Sequence, residues 1–325
     1  MYCIVCAYSC DRGYKVRNFR KIDIMELHQL RYFVAVAETG GFSKAAKRCY
    51  VAQPSLSQQI IKLEHELGKE LFERLNRKVA LTEAGKALLP RAKLILNEAS
   101  NIKSAILDDV DSGSGTLSVG MIPTIAPYLL PGSLDKYGKR FPISRIKVNE
   151  NLTDRLIKDI INLDVDIAIM SLPIDDPLIQ TKPLFDDPLV LALSPGHPLS
   201  KIKNIKIDDL KSIPFIALEE EHCLGEQIKS FCYEKQINPE IICRTWNLST
   251  IQHCVSYGNG ISLVPKMLVM TDASQSCEYR EIKGQSPSRN IVAAWHKDMK
   301  LSKLALEFIS IVNEVYESLL ESNKI

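Results

Sequence analysis

Two cysteines in the second half of the chain, Cys223 and Cys232, have a spacing that could support redox chemistry. If both lay on one helix, nine residues would separate them by about 13.5 Å along the axis and place the thiols on opposite faces. A disulfide requires α-carbons within roughly 4.4–6.8 Å of each other. The helix and the disulfide would therefore exclude each other, and oxidation would have to unwind the segment, which makes a two-state switch.

His222 precedes Cys223 and could stabilise a thiolate, which is the form of cysteine that attacks peroxide. The expected oxidation runs from thiolate to sulfenic acid and then to a disulfide, with Cys232 as the resolving thiol. A simpler interpretation is that these cysteines are small buried apolar side chains, which is the usual state of cytoplasmic cysteines. We predict that simpler state for Cys49, Cys243 and Cys254, and spacing alone leaves both interpretations open for the pair.

Length and composition exclude several classes of protein. With 325 residues and 36.5 kDa, the chain is long enough for two or three domains. A mean hydropathy of −0.04, without an apolar run of the roughly 18 residues that a span needs, excludes a membrane bundle. A net charge of +2 requires that any nucleic-acid footprint be local. Nine cysteines without a visible secretory signal indicate a cytoplasmic protein with reduced thiols.

The first 24 residues differ from the rest. Cys3, Cys6 and Cys10 have a C-x2-C-x3-C spacing that could suggest a metal site, but no fourth ligand follows at a familiar interval. We therefore predict no metal and no cofactor, a disordered leader over residues 1–24, and a true start at Met25.

A helix-turn-helix is predicted by periodicity alone. Apolar residues recur at steps of three and four from Leu27 to Ala37, and Gly40 ends this first helix. Phe42 is expected to be the hydrophobic staple and Ser43 the N-cap of a short second helix that runs through Cys49. Pro54 is expected at the first position of a third helix.

The outer face of the third helix carries short and amide side chains that could contact base edges and phosphates, although a plain solvated face is the alternative. A predicted hairpin with basic residues near its tip follows, as in a wing that holds phosphates. The candidate DNA contacts are Gln53, Ser55, Ser57, Gln58 and Lys62 in the helix, and Arg74, Arg77 and Lys78 in the wing.

A long amphipathic helix comes next, with an apolar seam at steps of four and three that is typical of helix–helix dimerisation. Asp111 to Gly115 then forms a linker. The seam consists of Leu88, Ala92, Ile95, Ala99, Ile102 and Ile106.

From Thr116 onward, predicted strands alternate with helices, which indicates a doubly wound parallel sheet. Around 210 residues is large for one sheet, so we predict two subdomains with a cleft. Ligands of such sheets bind outside the carboxyl ends of the strands, where Thr124 follows the first strand. Thr124 could equally serve only to cap the next helix.

Residues 30–82 resemble the winged helix-turn-helix of LysR-type transcriptional regulators, a resemblance carried by Ala45-Ala46, Gln53 to Ser57, Leu63-Glu64, Leu71-Phe72 and Leu81 to Gly85. In that family the start methionine lies just before the first helix, as Met25 does. The resemblance implies promoter DNA and RNA polymerase as partners, a tetramer of two dimers, and a regulatory domain like a periplasmic binding protein.

Within that family, the second half resembles the hydrogen-peroxide-sensing OxyR group. Three stretches carry the resemblance: 120–131, 222–232 and 258–265. It implies a peroxidatic Cys223, a resolving Cys232, and a peroxide pocket lined by Thr124, Thr153, His222 and Arg289.

The chain departs from the OxyR pattern directly after the first cysteine. Gly225-Glu226 stand where the group commonly has Arg-Asp. The lost cation would slow the thiol, and Gly225 would loosen the segment.

We therefore expect an α+β multidomain protein that is a transcription regulator and not an enzyme. Two alternatives remain: a LysR-type regulator whose cleft binds a small organic inducer, and a thiol peroxidase, against which the DNA-binding half stands. The expected domains are a leader (1–24), a winged helix-turn-helix (25–83), a dimerisation helix (84–112) and a regulatory domain (116–325) with subdomains I (116–187 and 289–325) and II (188–288).

Overall fold

The computed structural model describes residues 25–75, 78–106, 115–211, 213–284 and 287–322, with side chains described at all of these except 74, 75, 78 and 100–106. The chain forms two compact units that divide between Ala92 and Lys93. The expected leader, with its three cysteines, lies outside the described residues.

The first unit is a helix-turn-helix with a two-stranded wing, as the sequence predicts. Its elements are α1 (Leu27–Thr39), α2 (Phe42–Cys49), α3 (Gln53–Leu67), β1 (Phe72–Leu75), β2 (Lys78–Leu81) and the first part of α4 (Glu83–Ile106). The wing strands pair antiparallel, with Phe72 opposite Leu81. The carboxylate of Glu64 joins α3 to the wing, because its Oε1 accepts the backbone N–H of Leu71 at 2.8 Å.

Helix boundaries in the first unit follow local backbone preferences, with two corrections. Gly40 ends α1 in the left-handed conformation (φ +67°), as predicted. The N-cap of α2 is Gly41 and not Ser43, because the Gly41 carbonyl accepts the first helical hydrogen bond, from Ala45. Pro54 is the second residue of α3 and not the first, since Gln53 already has helical geometry.

The second unit contains the remaining elements. They are β3 (Gly115–Met121), α5 (Ala126–Arg140), β4 (Ser144–Glu150), α6 (Thr153–Ile161), β5 (Ile167–Ser171), β6 (Ile179–Leu193), β7 (Phe215–Leu218), α7 (Cys223–Glu234), β8 (Ile241–Thr245), α8 (Leu248–Ser256), β9 (Ser262–Pro265), α9 (Lys266–Thr271), β10 (Glu278–Arg280), β11 (Ser288–His296) and α10 (Lys303–Ser322).

The main sheet of the second unit is mixed, which corrects the expectation of a parallel sheet. Strands β4, β3 and β5 run parallel. Strand β11 pairs antiparallel with both β5 and β6, and β6 pairs antiparallel with β9 and β10. The long strands β6 and β11 carry the chain out to a second core and back again, so they must run in opposite directions.

Two apolar cores support the two halves of this unit. The first lies around β3, β5, α5 and α10 and includes Leu117, Ile169 and Phe308. The second lies around β7, α7 and α8 and includes Ile216 and Ile251. The two-subdomain α/β architecture is therefore confirmed. Among the described residues, the helices are all too short or too polar to cross a lipid bilayer.

Candidate redox and DNA-contact sites

The two cysteines lie on one helix and belong to different cores. Cys223 is the first residue of α7 and packs against the first core, whereas Cys232 is buried in the second core. Both thiols are free, together with those of Cys49, Cys243, Cys254 and Cys277. The helix that we expected to be incompatible with a disulfide is therefore present, and its two thiols point to different surroundings.

The other expected pocket residues come from separate elements at one edge of the sheet. Thr124 lies in the turn between β3 and α5, and Thr153 is the first residue of α6, just after β4. Arg289 is the second residue of β11, and His222 is the N-cap of α7. Their placement follows from the parallel strands, because the carboxyl ends of β3 and β4 lie side by side.

Arg289 is fully buried and holds Thr124 by two hydrogen bonds. Its Nη1 donates to the Thr124 hydroxyl at 2.8 Å, and its Nη2 donates to the Thr124 carbonyl at 3.0 Å. Its Nε donates to Asp187 Oδ2 at 2.9 Å, and both side chains of this ion pair are shielded from solvent. A cation is therefore fixed at the base of the site.

Opposing effects act on the Cys223 thiol. Burial raises its pKa, and the charge of Arg289 and the hydroxyl of Thr153 lower it. Burial also lowers the pKa of His222, so this imidazole is neutral at pH 7. The expectation that His222 stabilises a thiolate is thus corrected, because the cation that acts on Cys223 is Arg289 and the His222 ring packs edge-on against Trp246.

Two residues near Cys223 carry a buried polar atom that lacks a hydrogen-bond partner among the described residues. They are His222 through Nε2 and Gln227 through Oε1. Buried polar atoms are rarely left unpaired without a reason such as a small bound molecule. These atoms could form hydrogen bonds to a small molecule that binds beside the Cys223 thiol.

Sequence reasoning gave no role to Gln227 and Asp187. The amide of Gln227 donates from α7 to the Ser171 hydroxyl at 3.1 Å and to the Leu172 carbonyl at 2.5 Å, at the end of β5. Asp187 pairs with Arg289 from β6. Gln227 stands one helical turn after Cys223, which is a usable signal, but nothing in the sequence connects residues 187 and 289.

Gly225 lies on the first turn of α7, close to the preceding loop. A Cβ at this position would lie 2.3 Å from the Glu219 carbonyl oxygen, so glycine permits a close approach between the helix and the preceding loop. Glu226 is exposed on the first turn. Arg289, which the resemblance already places in the pocket, is the cation that acts on Cys223, and the slower reaction expected from the missing cation after Leu224 stays a prediction.

The candidate DNA contacts on α3 are mostly available to a partner. Gln53, Ser55 and Gln58 are exposed, and Ser57 is half-buried. Lys62 is exposed but lies 3.2 Å from Glu26 and 3.7 Å from Glu66. Arg77 and the side chains of Arg74 and Lys78 lie outside the described residues. The structure adds exposed basic residues on α2 that we did not predict: Lys44, Lys47 and Arg48.

The apolar seam on α4 is only partly covered in the single chain. Ala92 is buried, Leu88 and Ala99 are half-buried, and Ile95 is 40% exposed. The side chains of Ile102 and Ile106 lie outside the described residues. In the part of the chain that the structure describes, His, Cys, Asp and Glu side chains form no cluster suited to a metal ion.

Comparison with known families places both units. The model of the bacterial regulatory helix-turn-helix protein, lysR family, matches residues 27–86, and the LysR substrate binding domain matches residues 111–317. The chain belongs to the LysR family of bacterial regulators.

Several relatives within that family are named as peroxide-response proteins. The hydrogen peroxide-inducible genes activator of Dickeya chrysanthemi is 36% identical over 245 residues, which cover 75% of this chain and 80% of the relative. Full-length OxyR from Pseudomonas aeruginosa has a TM-score of 0.74 at 29% identity, covering 90% of this chain and 94% of the other. A hydrogen peroxide-bound OxyR variant from Corynebacterium glutamicum has a TM-score of 0.61 at 29% identity, covering 92% and 96%.

Proposed function

We propose that this protein is a promoter-binding transcription regulator that senses hydrogen peroxide by oxidation of Cys223 and a reversible disulfide with Cys232. The observation that carries the proposal is the surroundings of Cys223. The thiol lies at a helix N-terminus, under the influence of a buried arginine and of the Thr153 hydroxyl. The similarity to a peroxide-bound OxyR supports the same conclusion.

The chemistry requires a thiolate and a stabilised leaving group. The Cys223 thiolate attacks one peroxide oxygen, so an S–O bond forms as the O–O bond breaks, and hydroxide leaves and takes up a proton to become water. Arg289 and the positive end of α7 stabilise the Cys223 thiolate. Cys232 then attacks the sulfenic acid, a disulfide forms, and a second water leaves.

The remaining pocket residues orient the peroxide. Thr124 is held by Arg289, and the Thr153 hydroxyl, which acts on the Cys223 thiol, lies beside the sulfur that the peroxide must reach. Neutral His222 and Gln227 supply further hydrogen-bonding atoms in the same role. Because one peroxide leaves an oxidised protein, the reaction is a stoichiometric signal and not enzymatic turnover.

DNA binding and assembly follow from the first unit and α4. The polar residues on α3 read base edges, and the basic residues of the wing hold phosphates. The α4 seam pairs two chains, and two dimers form a tetramer that contacts RNA polymerase at the promoter. The protein acts in the cytoplasm, where promoter DNA is found. The boundaries 25–83, 84–112 and 116–325, with subdomains meeting near 187 and 289, belong to this proposal.

Mass spectrometry of alkylated protein, before and after about one equivalent of hydrogen peroxide, tests the sensing mechanism. We expect the loss of two hydrogen atoms, mapped to a crosslink between Cys223 and Cys232, while Cys243 stays alkylatable as an internal control. A Cys223→Ser variant should lose the response. If both thiols remain alkylatable and the variant responds normally in cells, an organic inducer in the cleft replaces peroxide as the signal.

A further inference from the structure

The buried carboxylate of Asp187 accepts hydrogen bonds from two other elements next to the redox site. It stands on β6 directly opposite Arg289 on β11, in antiparallel register. Its Oδ2 accepts the Arg289 Nε–H at 2.9 Å, and its Oδ1 accepts the backbone N–H of Met267, in the first turn of α9, at 3.1 Å. Three elements therefore meet at one carboxylate that the chemistry described above does not use.

The position of this carboxylate determines which edge of the guanidinium faces the thiol site. A guanidinium group is a rigid planar fork, so a fixed Nε edge also fixes the direction of both Nη atoms. With Nε held by Asp187, Nη1 and Nη2 reach the hydroxyl and carbonyl of Thr124. Without Asp187, the buried Arg289 would lack a counter-charge, which is strongly unfavourable in the interior of a protein.

We infer that Asp187 is a positioning residue, which holds Arg289 in the orientation that presents its cation to Cys223 and its Nη atoms to Thr124. The inference rests on the proposed peroxide chemistry for its purpose. The arrangement itself follows from the contacts among β6, β11 and α9.

Other titratable groups packed around this pair do not replace it. Burial raises the pKa of Tyr128 and Tyr316, the latter to about 12, so both phenols are neutral at physiological pH. The Tyr316 hydroxyl donates to the Asp186 carbonyl at 2.8 Å. His222 is neutral because burial lowers its pKa. The charge that Asp187 orients is therefore the one that acts on the thiol.

The test measures the thiol without peroxide. The full-length protein and its variants are treated with iodoacetamide between pH 6 and 10, and alkylation of Cys223 is followed by peptide mass spectrometry. We expect Asp187→Asn to move the pH profile of Cys223 upward and to slow alkylation at pH 7 about tenfold, which corresponds to one pKa unit. Asp166→Asn is the matched control, because Asp166 is a partly buried carboxylate that binds the Ser118 N–H and should leave the profile unchanged.

A double variant separates positioning from a general structural role. If Asp187 acts through Arg289, adding Asp187→Asn to Arg289→Gln should change the Cys223 profile no further. A second shift in that background would overturn the inference. A wild-type profile in Asp187→Asn alone would do the same, as would a downward shift, which is what the loss of the Asp187 charge gives if Arg289 keeps its orientation. If Asp187→Asn does not fold, Asp187→Glu keeps the charge and displaces the carboxylate by one methylene group. We then expect the pH profile of Cys223 to move upward by less, so that alkylation at pH 7 slows about threefold. An unchanged profile would contradict the inference.

The two proposals can fail separately. If Cys223 of the wild type does not react with peroxide but the alkylation profiles behave as expected, the sensing function fails and the role of Asp187 stands. If peroxide forms the disulfide and Asp187→Asn leaves the profile unchanged, sensing stands and the role of Asp187 fails.

Discussion

At the scale of single residues, the reactivity of Cys223 depends on opposing effects. Burial keeps the thiol protonated, and the cation of Arg289 together with the hydroxyl of Thr153 favours the thiolate. Because of this balance, the thiol stays mostly protonated in the resting protein, and the thiolate is still stabilised when it forms. Small changes around the thiol should therefore alter its reactivity strongly.

The reaction of Cys223 with peroxide should accelerate as the pH rises from 7 to 10. The pKa of this thiol is raised by burial, so the reactive thiolate is a minor form at neutral pH and its fraction rises with each unit of pH.

Thr153→Val removes a hydroxyl that lowers this pKa, so the profile should move to higher pH and the rate at pH 7 should fall by about three- to tenfold. Stopped-flow oxidation kinetics give the profile, with Thr116→Val at an exposed position of β3 as the control. Coincident profiles for Thr153→Val and the wild type would remove Thr153 from the pocket.

Replacing Gly225 should destabilise the second unit. In Gly225→Ala, the new Cβ would lie 2.3 Å from a backbone oxygen of Glu219, so α7 or the loop must shift at a cost of about 1–3 kcal/mol. Gly138→Ala on α5 meets open space and should be neutral or stabilising by up to about 1 kcal/mol. Urea unfolding of the two variants measures the difference. Equal stabilities would mean that the close approach at Gly225 is unimportant.

At the scale of elements, α7 is the part that must change if Cys223 and Cys232 form the proposed disulfide. Its apolar residues Leu224, Ile228 and Phe231 are buried in the second core with Cys232, while Cys223 faces the first. On the surface, Glu220 joins the helix through Lys229 at 2.6 Å and β8 through Arg244 at 3.0 Å. A disulfide between residues that lie about 13.5 Å apart along a helix axis requires that these contacts break.

Oxidation should therefore increase hydrogen exchange in α7. We expect the amides of 223–234 to lose protection after peroxide treatment, because the helical hydrogen bonds cannot persist with the disulfide in place. The sheet strands β3 and β5 should keep theirs. Mass-resolved exchange of oxidised and reduced protein measures this, and Cys232→Ser should show no change. Full protection of α7 in a disulfide-bonded sample would require a different route to the bridge.

At the scale of the whole molecule, the chain consists of two units, and α4 contains the point where they divide. The exposed Ile95 on this helix lies on the seam that we assign to dimerisation, beside buried Ala92. A regulator of two-fold symmetric sites needs such pairing, since each half-site binds one recognition helix.

Ile95→Asp should weaken dimerisation. A carboxylate in an apolar helix pair would be buried without a partner, so the dimer should dissociate at concentrations about tenfold or more above those for the wild type. Lys86→Glu also adds negative charge, but on the opposite side of α4, where Lys86 pairs with Glu83, and it should leave the dimer intact. Sedimentation velocity over a dilution series compares the three proteins. A dimer unaffected by Ile95→Asp would place the interface elsewhere.

Local periodicity and short motifs in the sequence were enough to predict most elements of the first unit. The helices of the helix-turn-helix and the long α4 lie close to where their apolar spacing predicts them, because each element must bury one face, and the wing lies where the hairpin was expected. The two cysteines lie within one short segment, so the sequence also showed what a shared helix would mean for a disulfide, and the structure supplied that helix.

Only the tertiary structure decided what surrounds the first thiol. Asp187 and Arg289 are about 100 positions apart and meet because β6 and β11 pair antiparallel, a register that no local pattern specifies. The same pairing made the sheet mixed where alternation of strands and helices had predicted a parallel one. Burial keeps His222, the neighbour of Cys223 in sequence, neutral, so the cation that acts on the thiol is Arg289, a neighbour only in space. The sequence could not show this, because desolvation acts on a side chain only after the chain has folded around it.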